Sequence, residues 1–238
     1  VIAPTLASND APCSALSVLY TPEGANDGVE FYPTNPAMVI VDTEVIAEAN
    51  ERYLVAGMGD AMATWYEARI CLNNPQALTP IGARPTLASC AMGEVCAHTL
   101  LEHGEAATRA VVANVCDDSL ERVVEANTLL SGIGFESGGL ALAHPMALAF
   151  TQIDRIHHNY LHGEMVAMGT LIQLVMEASK DADKIARFFA RVGLPVHMDQ
   201  LSLSPQATDA LDTIIEFALK NKNAHYMPMA VTAASLRE

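Results

Sequence analysis

The 238-residue sequence predicts a mainly α, multi-helical domain preceded by a few short strands. Three observations predict it. From Thr43 onward apolar residues recur three and four positions apart, the spacing of helix faces. Strand signals are confined to residues 1–42, and no internal repeat or low-complexity tract breaks the helical part. The domain reading is therefore residues 1–42 as a strand-bearing segment and residues 43–238 as a helical domain.

Val1-Ile2-Ala3, residues 15–21 and residues 38–41 read as strands, separated by Pro, Gly and Asn. Thr43 reads as the cap of a first helix with Val45, Ile46, Ala49, Tyr53 and Leu54 on one face. Gly57 and Gly59 interrupt that pattern, so a second helix carrying Ala61, Met62, Trp65, Tyr66 and Arg69 is expected after them. A loop rich in Pro and Asn over 73–85 precedes helices near 87–102 and 105–113. Asp118 and Ser119 start another, with Leu120, Val123, Val124, Asn127 and Leu130 as its face up to Gly132. Helices over 137–150 and 162–179 follow. Ile185, Phe188, Phe189 and Val192 mark the next, and Ser204-Pro205 cap a last one carrying Leu211, Ile214, Ile215 and Ala218.

Apolar residues make up 51% of the chain, enough for a sizeable core. The net charge of -15 repels phosphate backbones, and Lys and Arg form no basic stripe, which argues against nucleic acid and anionic membranes as partners. No apolar run approaches the roughly 20 residues of a membrane span. No basic-then-apolar leader opens the sequence, so a soluble, unprocessed, cytoplasmic protein is expected. Five cysteines without C-x-x-C spacing read as free thiols.

Two histidines stand out because each is set among small or apolar residues. His144 ends the run Gly138-Gly139-Leu140-Ala141-Leu142-Ala143, where its imidazole is the sole polar side chain. His162 opens the helical run of Met165, Val166, Met168, Leu171, Ile172 and Val175, so it projects from a first turn. Each reads either as a hydrogen-bonded core histidine or as a ligand. Asp60, flanked by Gly57, Gly59 and Ala61, reads either as the cap of the helix expected to begin there or as a third ligand. One carboxylate and two imidazoles leave a coordination position open, as in catalytic zinc sites. His157 and His158 are substitutes for His162, and Pro145 would kink the helix expected over 137–150 or re-aim His144.

Gly59-Asp60-Ala61 with Thr64, Gly134-Phe135-Glu136-Ser137-Gly138-Gly139-Leu140 leading to His144, and His162-Gly163-Glu164 together resemble the iron-containing (group III) alcohol dehydrogenase family, specifically its glycerol dehydrogenases. The N-terminal run from Pro4 to Val18 is similar to that family's segment lining the nicotinamide and substrate pocket. The resemblance implies a helical domain like the C-terminal domain of dehydroquinate synthase-like and group III alcohol dehydrogenases, preceded by strands of an α/β nucleotide-binding domain. It implies that Asp60, His144 and His162 hold zinc, with ferrous iron as the alternative that the same donor set suits. Asp10 would contact glycerol, and Thr5, Ser14, Leu16 and Tyr20 would contact NAD. The implied activity is NAD-linked oxidation of glycerol to dihydroxyacetone, and the implied partners are a small polyol and further copies of the chain.

The sequence also departs from that pattern. It contains no Gly-rich phosphate-binding turn between a strand and a helix, and its closing helix looks shortened near Met229. The expectation is thus a truncated form with an incomplete NAD site, which alone would turn over glycerol poorly. The alternative is a non-catalytic, metal-binding helical protein derived from such an enzyme.

Overall fold

The computed structural model describes residues 1–22, 26–204 and 206–237. Its fold is mainly α. The β-structure among the described residues is one antiparallel hairpin, β1 (Leu16–Tyr20) with β2 (Asn26–Phe31), and a single parallel bridge between Ile2 and Val39. The strand expected over 15–21 is therefore present. Those expected at Val1-Ile2-Ala3 and over 38–41 shrink to that one bridge. Strand β2 has no counterpart in the expectations, because its Asn26-Asp27-Gly28 start reads as a turn. Gly28 is accommodated at φ 116°, opposite an irregularity of register between Leu19 and Tyr20.

The helical part begins with α1 (Thr43–Ala47), capped by Asp42, whose carboxylate accepts from the amides of Glu44 and Val45. Thr43 is the first helical residue, one place inside the cap expected there. Next, α2 (Glu51–Asn73) runs unbroken through Gly57 and Gly59, so the two helices expected on either side of them are one. Both glycines mark close approaches of backbone. A Cβ on Gly57 would lie 2.5 Å from Asn127 Nδ2 and 2.9 Å from the carbonyl carbon of Ala7. One on Gly59 would run into the Gly163 carbonyl oxygen. Nearly every residue of α2 between Leu54 and Cys71 is buried, as befits a helix apolar on all sides.

The helices expected near 87–102 and 105–113 likewise merge into α3 (Leu87–Val112), with Gly104 packed against Met58 and Phe188. The next turns are α4 (Asp118–Glu125), a π-helical stretch over Ala126–Leu130, and α5 (Ser131–Gly138). A helix over 137–150 does not form: Gly139 at φ 94° ends α5, and α6 (Ala143–Phe150) starts afresh. Pro145 then falls in the first turn of α6, where its missing N–H costs nothing. His157 and His158 lie on a short helix, α7 (Asp154–Asn159).

The remaining helices are α8 (His162–Met176), α9 (Ala182–Val192) and α10 (Thr208–Lys220). The α10 cap position is Ala207, and the Pro205 of the expected cap lies outside the described residues. Two apolar clusters flank the central α2 and α8: one around Leu54, Met58, Leu100, Phe188 and Phe189, the other around Phe150, Met165, Leu201 and Ile214. Because α2 crosses α8 at glycine on both sides, the two backbones come close enough for their side chains to share one site.

A candidate metal centre at the floor of a cleft

Asp60 lies in the middle of α2 and is fully buried, so the reading of it as a helix cap is ruled out by its position. It stands apart from water at the crossing of three helices. His144 reaches it from the first turn of α6 and His162 from the first residue of α8. The nitrogen Nε2 of His144 is 3.4 Å from Asp60 Oδ1, and Nε2 of His162 is 3.5 Å from the same oxygen. The ring centroids are 5.8 Å apart, and one ligand atom from each of the three residues lies within 4.8 Å of the others.

Those spacings fit a cation. Bonds of about 2.1 Å to a tetrahedral ion place neighbouring donors roughly 3.4 Å apart. Asp60 Oδ1 makes no hydrogen bond although it is buried, whereas Oδ2 accepts the Asp10 amide at 3.1 Å. A buried carboxylate oxygen without a donor is costly, and a metal ion is the partner that both imidazoles and this oxygen can share.

Charge balance points the same way. Behind His144 sits Glu67, also fully buried, with Oε2 2.5 Å from His144 Nδ1. Asp10, nine-tenths buried, adds a third carboxylate nearby. Burial and the charge of Asp60 hold the Asp10 carboxyl well above its usual range, against the opposing pull of His144 and a hydrogen bond from Ser131. For Asp60, burial pushes up, but His162, His144 and the Asp10 amide outweigh it, and its carboxyl lies below the ordinary value. The imidazoles split: burial lowers His162, while for His144 the pull of burial is overcome by Glu67 and Asp60, raising it well above the usual value.

The three residues help to line a cleft of about 1120 Å3. Asp10, Ser14, Leu16 and Tyr20 also line it, with Val18, Phe31 and Tyr32 of the hairpin forming an apolar side. Asp10 Oδ2 accepts a hydrogen bond from Ser131 Oγ at 3.1 Å, and Ser131 is itself 2.8 Å from Thr64 Oγ1. Thr5 is the member of the expected set that the structure does not bring to the cleft: it is exposed and outside the lining. His157 and His158 lie apart from the trio. His157 stacks on Tyr20 with ring centroids 6.4 Å apart, and His158 Nδ1 meets the Asp154 carbonyl oxygen.

Three residues the sequence reasoning passed over complete the surroundings. Glu67 follows Asp60 by seven positions, two turns along the same face of α2, and that spacing was the available signal. Gln173 of α8 accepts from the amides of Leu142 and Ala143 through Oε1 and donates to the Tyr66 carbonyl. Ser131, beside Gly132, offered no local signal. Glu164, from the motif after His162, ties down the α8 start: it accepts a bidentate pair of bonds from Arg52 at 2.7 Å and one from the Leu161 amide.

The same arrangement of helices occurs in solved proteins. A sulfoacetaldehyde reductase from Bifidobacterium kashiwanohense, determined with NAD+, superposes with a TM-score of 0.78 at 16% identity over 99% of this chain and 62% of that one, a likeness of fold alone. An iron-containing alcohol dehydrogenase from Thermotoga maritima has the same fold over the 60% of its chain that is matched, with a TM-score of 0.69 at 17% identity. A probable glycerol dehydrogenase from Sinorhizobium meliloti 1021 superposes more closely, with a TM-score of 0.94 at 36% identity, over 99% of this chain and 67% of that one. A glycerol dehydrogenase from Escherichia coli O6:H1 is 48% identical over 234 residues, 97% of this chain and 63% of the relative. The chain belongs to the glycerol dehydrogenase family, and it spans under two thirds of the length of that curated relative. No model of a known protein family matches it.

Proposed function

We propose that this chain is the metal-binding part of an NAD-linked polyol dehydrogenase that oxidises glycerol to dihydroxyacetone. The observation that carries the reading is the buried, unpartnered Asp60 Oδ1 faced by two imidazole nitrogens at the floor of a cleft. Asp60, His144 and His162 hold a divalent metal, zinc by preference and ferrous iron as the alternative, since both accept this donor set. When bound, such an ion supplies Lewis acidity, lowering the pKa of an alcohol so that it gives up its proton near neutral pH.

The chain's own residues do the rest. Asp10, held by Ser131 and by its amide to Asp60, presents a carboxylate to a polyol hydroxyl. Burial and the charge of Asp60 raise its pKa, which makes its ionised form a stronger proton acceptor than an ordinary carboxylate. Leu16, Tyr20 and Ser14, which line the cleft, would face a bound nicotinamide, and the apolar side of the hairpin would keep water from it. Glycerol loses a hydride to NAD+ and a proton to the medium, giving dihydroxyacetone and NADH. We assign residues 1–42 to the cofactor-facing side and 43–238 to the helical metal-binding domain. A homo-oligomer acting on a small polyol is the form we expect.

Elemental analysis of the purified protein and of His162→Ala tests the metal assignment. About one divalent ion per chain in the wild type and a marked loss in the variant are expected. Equal content in both removes His162 from the site, and a wild type that takes up no metal from a buffered supply removes the site altogether.

A further inference from the structure

The first turn of α6, which carries His144, has no cap of its own: no side chain at Leu142 closes it. Its amides are taken up instead by side chains from the two helices that carry Asp60 and His162. Gln173 of α8 accepts from Leu142 and Ala143, and Glu67 of α2 accepts from Ala141 at 2.8 Å and His144 at 3.1 Å through Oε1. The second oxygen of Glu67 then meets His144 Nδ1 at 2.5 Å.

A carboxylate only accepts hydrogen bonds, and both oxygens of Glu67 are committed. Nδ1 of His144 must therefore carry the proton in that pair. In the neutral ring the lone pair then lies on Nε2, the nitrogen 3.4 Å from Asp60 Oδ1. We propose that Glu67 is a positioning residue that fixes the tautomer and orientation of His144, so that Nε2 is kept as a metal ligand. This rests on the metal reading given above. It goes beyond it in assigning a function to a buried group outside the ligand set.

The near-isosteric change Glu67→Gln separates this role from simple filling and capping. A glutamine has one accepting oxygen. Turned toward the two amides, that oxygen preserves the cap, and its NH2 then faces Nδ1 and can only donate. The ring must answer with a bare Nδ1 and a protonated Nε2, which cannot ligate. Turned the other way, the NH2 confronts two N–H groups. The first arrangement keeps the fold and inverts the tautomer.

The test uses the whole chain with histidine labelled by 15N and zinc as the probe. Long-range proton–nitrogen correlation spectra of the zinc-loaded wild type should show His144 protonated at Nδ1 and bound through Nε2. Chelator competition should give zinc affinity lower by about 10- to 100-fold in Glu67→Gln, with the variant's spectrum showing Nε2 protonated. Unchanged affinity in Glu67→Gln, beside a wild type that binds zinc, overturns the role of Glu67 and leaves the metal site standing. A zinc-loaded wild type bound through Nδ1 overturns it without recourse to any variant. If Glu67→Gln loses affinity while circular dichroism shows a folded protein and the nitrogen spectra show the wild-type tautomer, the loss is structural and the proposal fails.

Discussion

Gly163 sits one residue after His162, where α8 crosses α2, and replacing it by Ala tests how tightly that crossing sets the proposed metal centre. In an ordinary helix the change is favourable by about 1 kcal/mol, because Ala is the better helix former. Here the added Cβ would overlap the carbonyl oxygen of Ala56 and lie 2.5 Å from its carbonyl carbon. Carbon atoms in contact prefer roughly 3.5–4.0 Å, so the backbones must part by about 1 Å. The obstacle is backbone in the middle of a buried helix, which has no rotamer to give. Overpacking costs typically about 1–3 kcal/mol, and the upper end of that range outweighs the gain in propensity. A net loss of about 2 kcal/mol lowers the melting temperature by roughly 4–8 °C in a chain of this size. The same parting carries His162 away from Asp60, whose 3.5 Å separation has little slack for a shared ion, so metal affinity falls with stability. Thermal unfolding with and without zinc, plus chelator competition, measures both. Gly104→Ala is the internal comparison, because its Cβ meets the flexible Met58 sulfur and the Phe188 ring instead of backbone. If Gly163→Ala melts at or above the wild-type temperature with unchanged affinity, the claim that this crossing positions His162 is wrong.

Further expectations concern Asp10, the metal and the cofactor. Because its folded-state pKa is raised, Asp10 favours the folded state at low pH and loses that contribution as pH climbs from the ordinary carboxylate value of 3.8 through its own. Asp10→Asn should thus stabilise the metal-free protein near neutral pH, with the difference vanishing in acid; a constant difference across pH would point to packing instead. In a full-length relative, the equivalent change should impair glycerol oxidation more than metal uptake, as steady-state kinetics and elemental analysis would show. Zinc at about 100 times its dissociation constant should raise stability by about 2.7 kcal/mol, an increment that His162→Ala should largely abolish in thermal melts. Calorimetric titration of NAD into the 238-residue chain should give weak binding, since its Gly-rich turn is lacking in this sequence and the net charge of -15 opposes an anionic cofactor. Micromolar affinity would show that residues 1–42 hold the dinucleotide by other means.

Local chemistry made part of this molecule legible before any fold was known. The amphipathic face of α9, with Ile185, Phe188, Phe189 and Val192 buried, can be read by counting. So can the strand over residues 16–20, and the isolation of His144 and His162 among small and apolar neighbours. These features depend on periodicity and residue type, which a linear sequence records. The continuity of α2 and α3 through Gly57, Gly59 and Gly104 does not. Glycine is locally a helix breaker, and its use here is to let the Ala7 carbonyl, α8 and the Phe188 ring come close, contacts that exist only once the chain has folded. Asp60 shows the same division. Beside two glycines it reads as the start of a helix, and its burial among His144, His162 and the Asp10 amide is a property of four segments meeting. Gln173 and Ser131 were silent for the same reason, and Glu67 offered only its seven-residue spacing from Asp60. A polar residue within an apolar stretch has no meaning until its partner is known, and the partners that tie these three to the site lie far off in sequence: Ala141 is 74 positions from Glu67, Ala143 is 30 from Gln173, and Thr64 is 67 from Ser131.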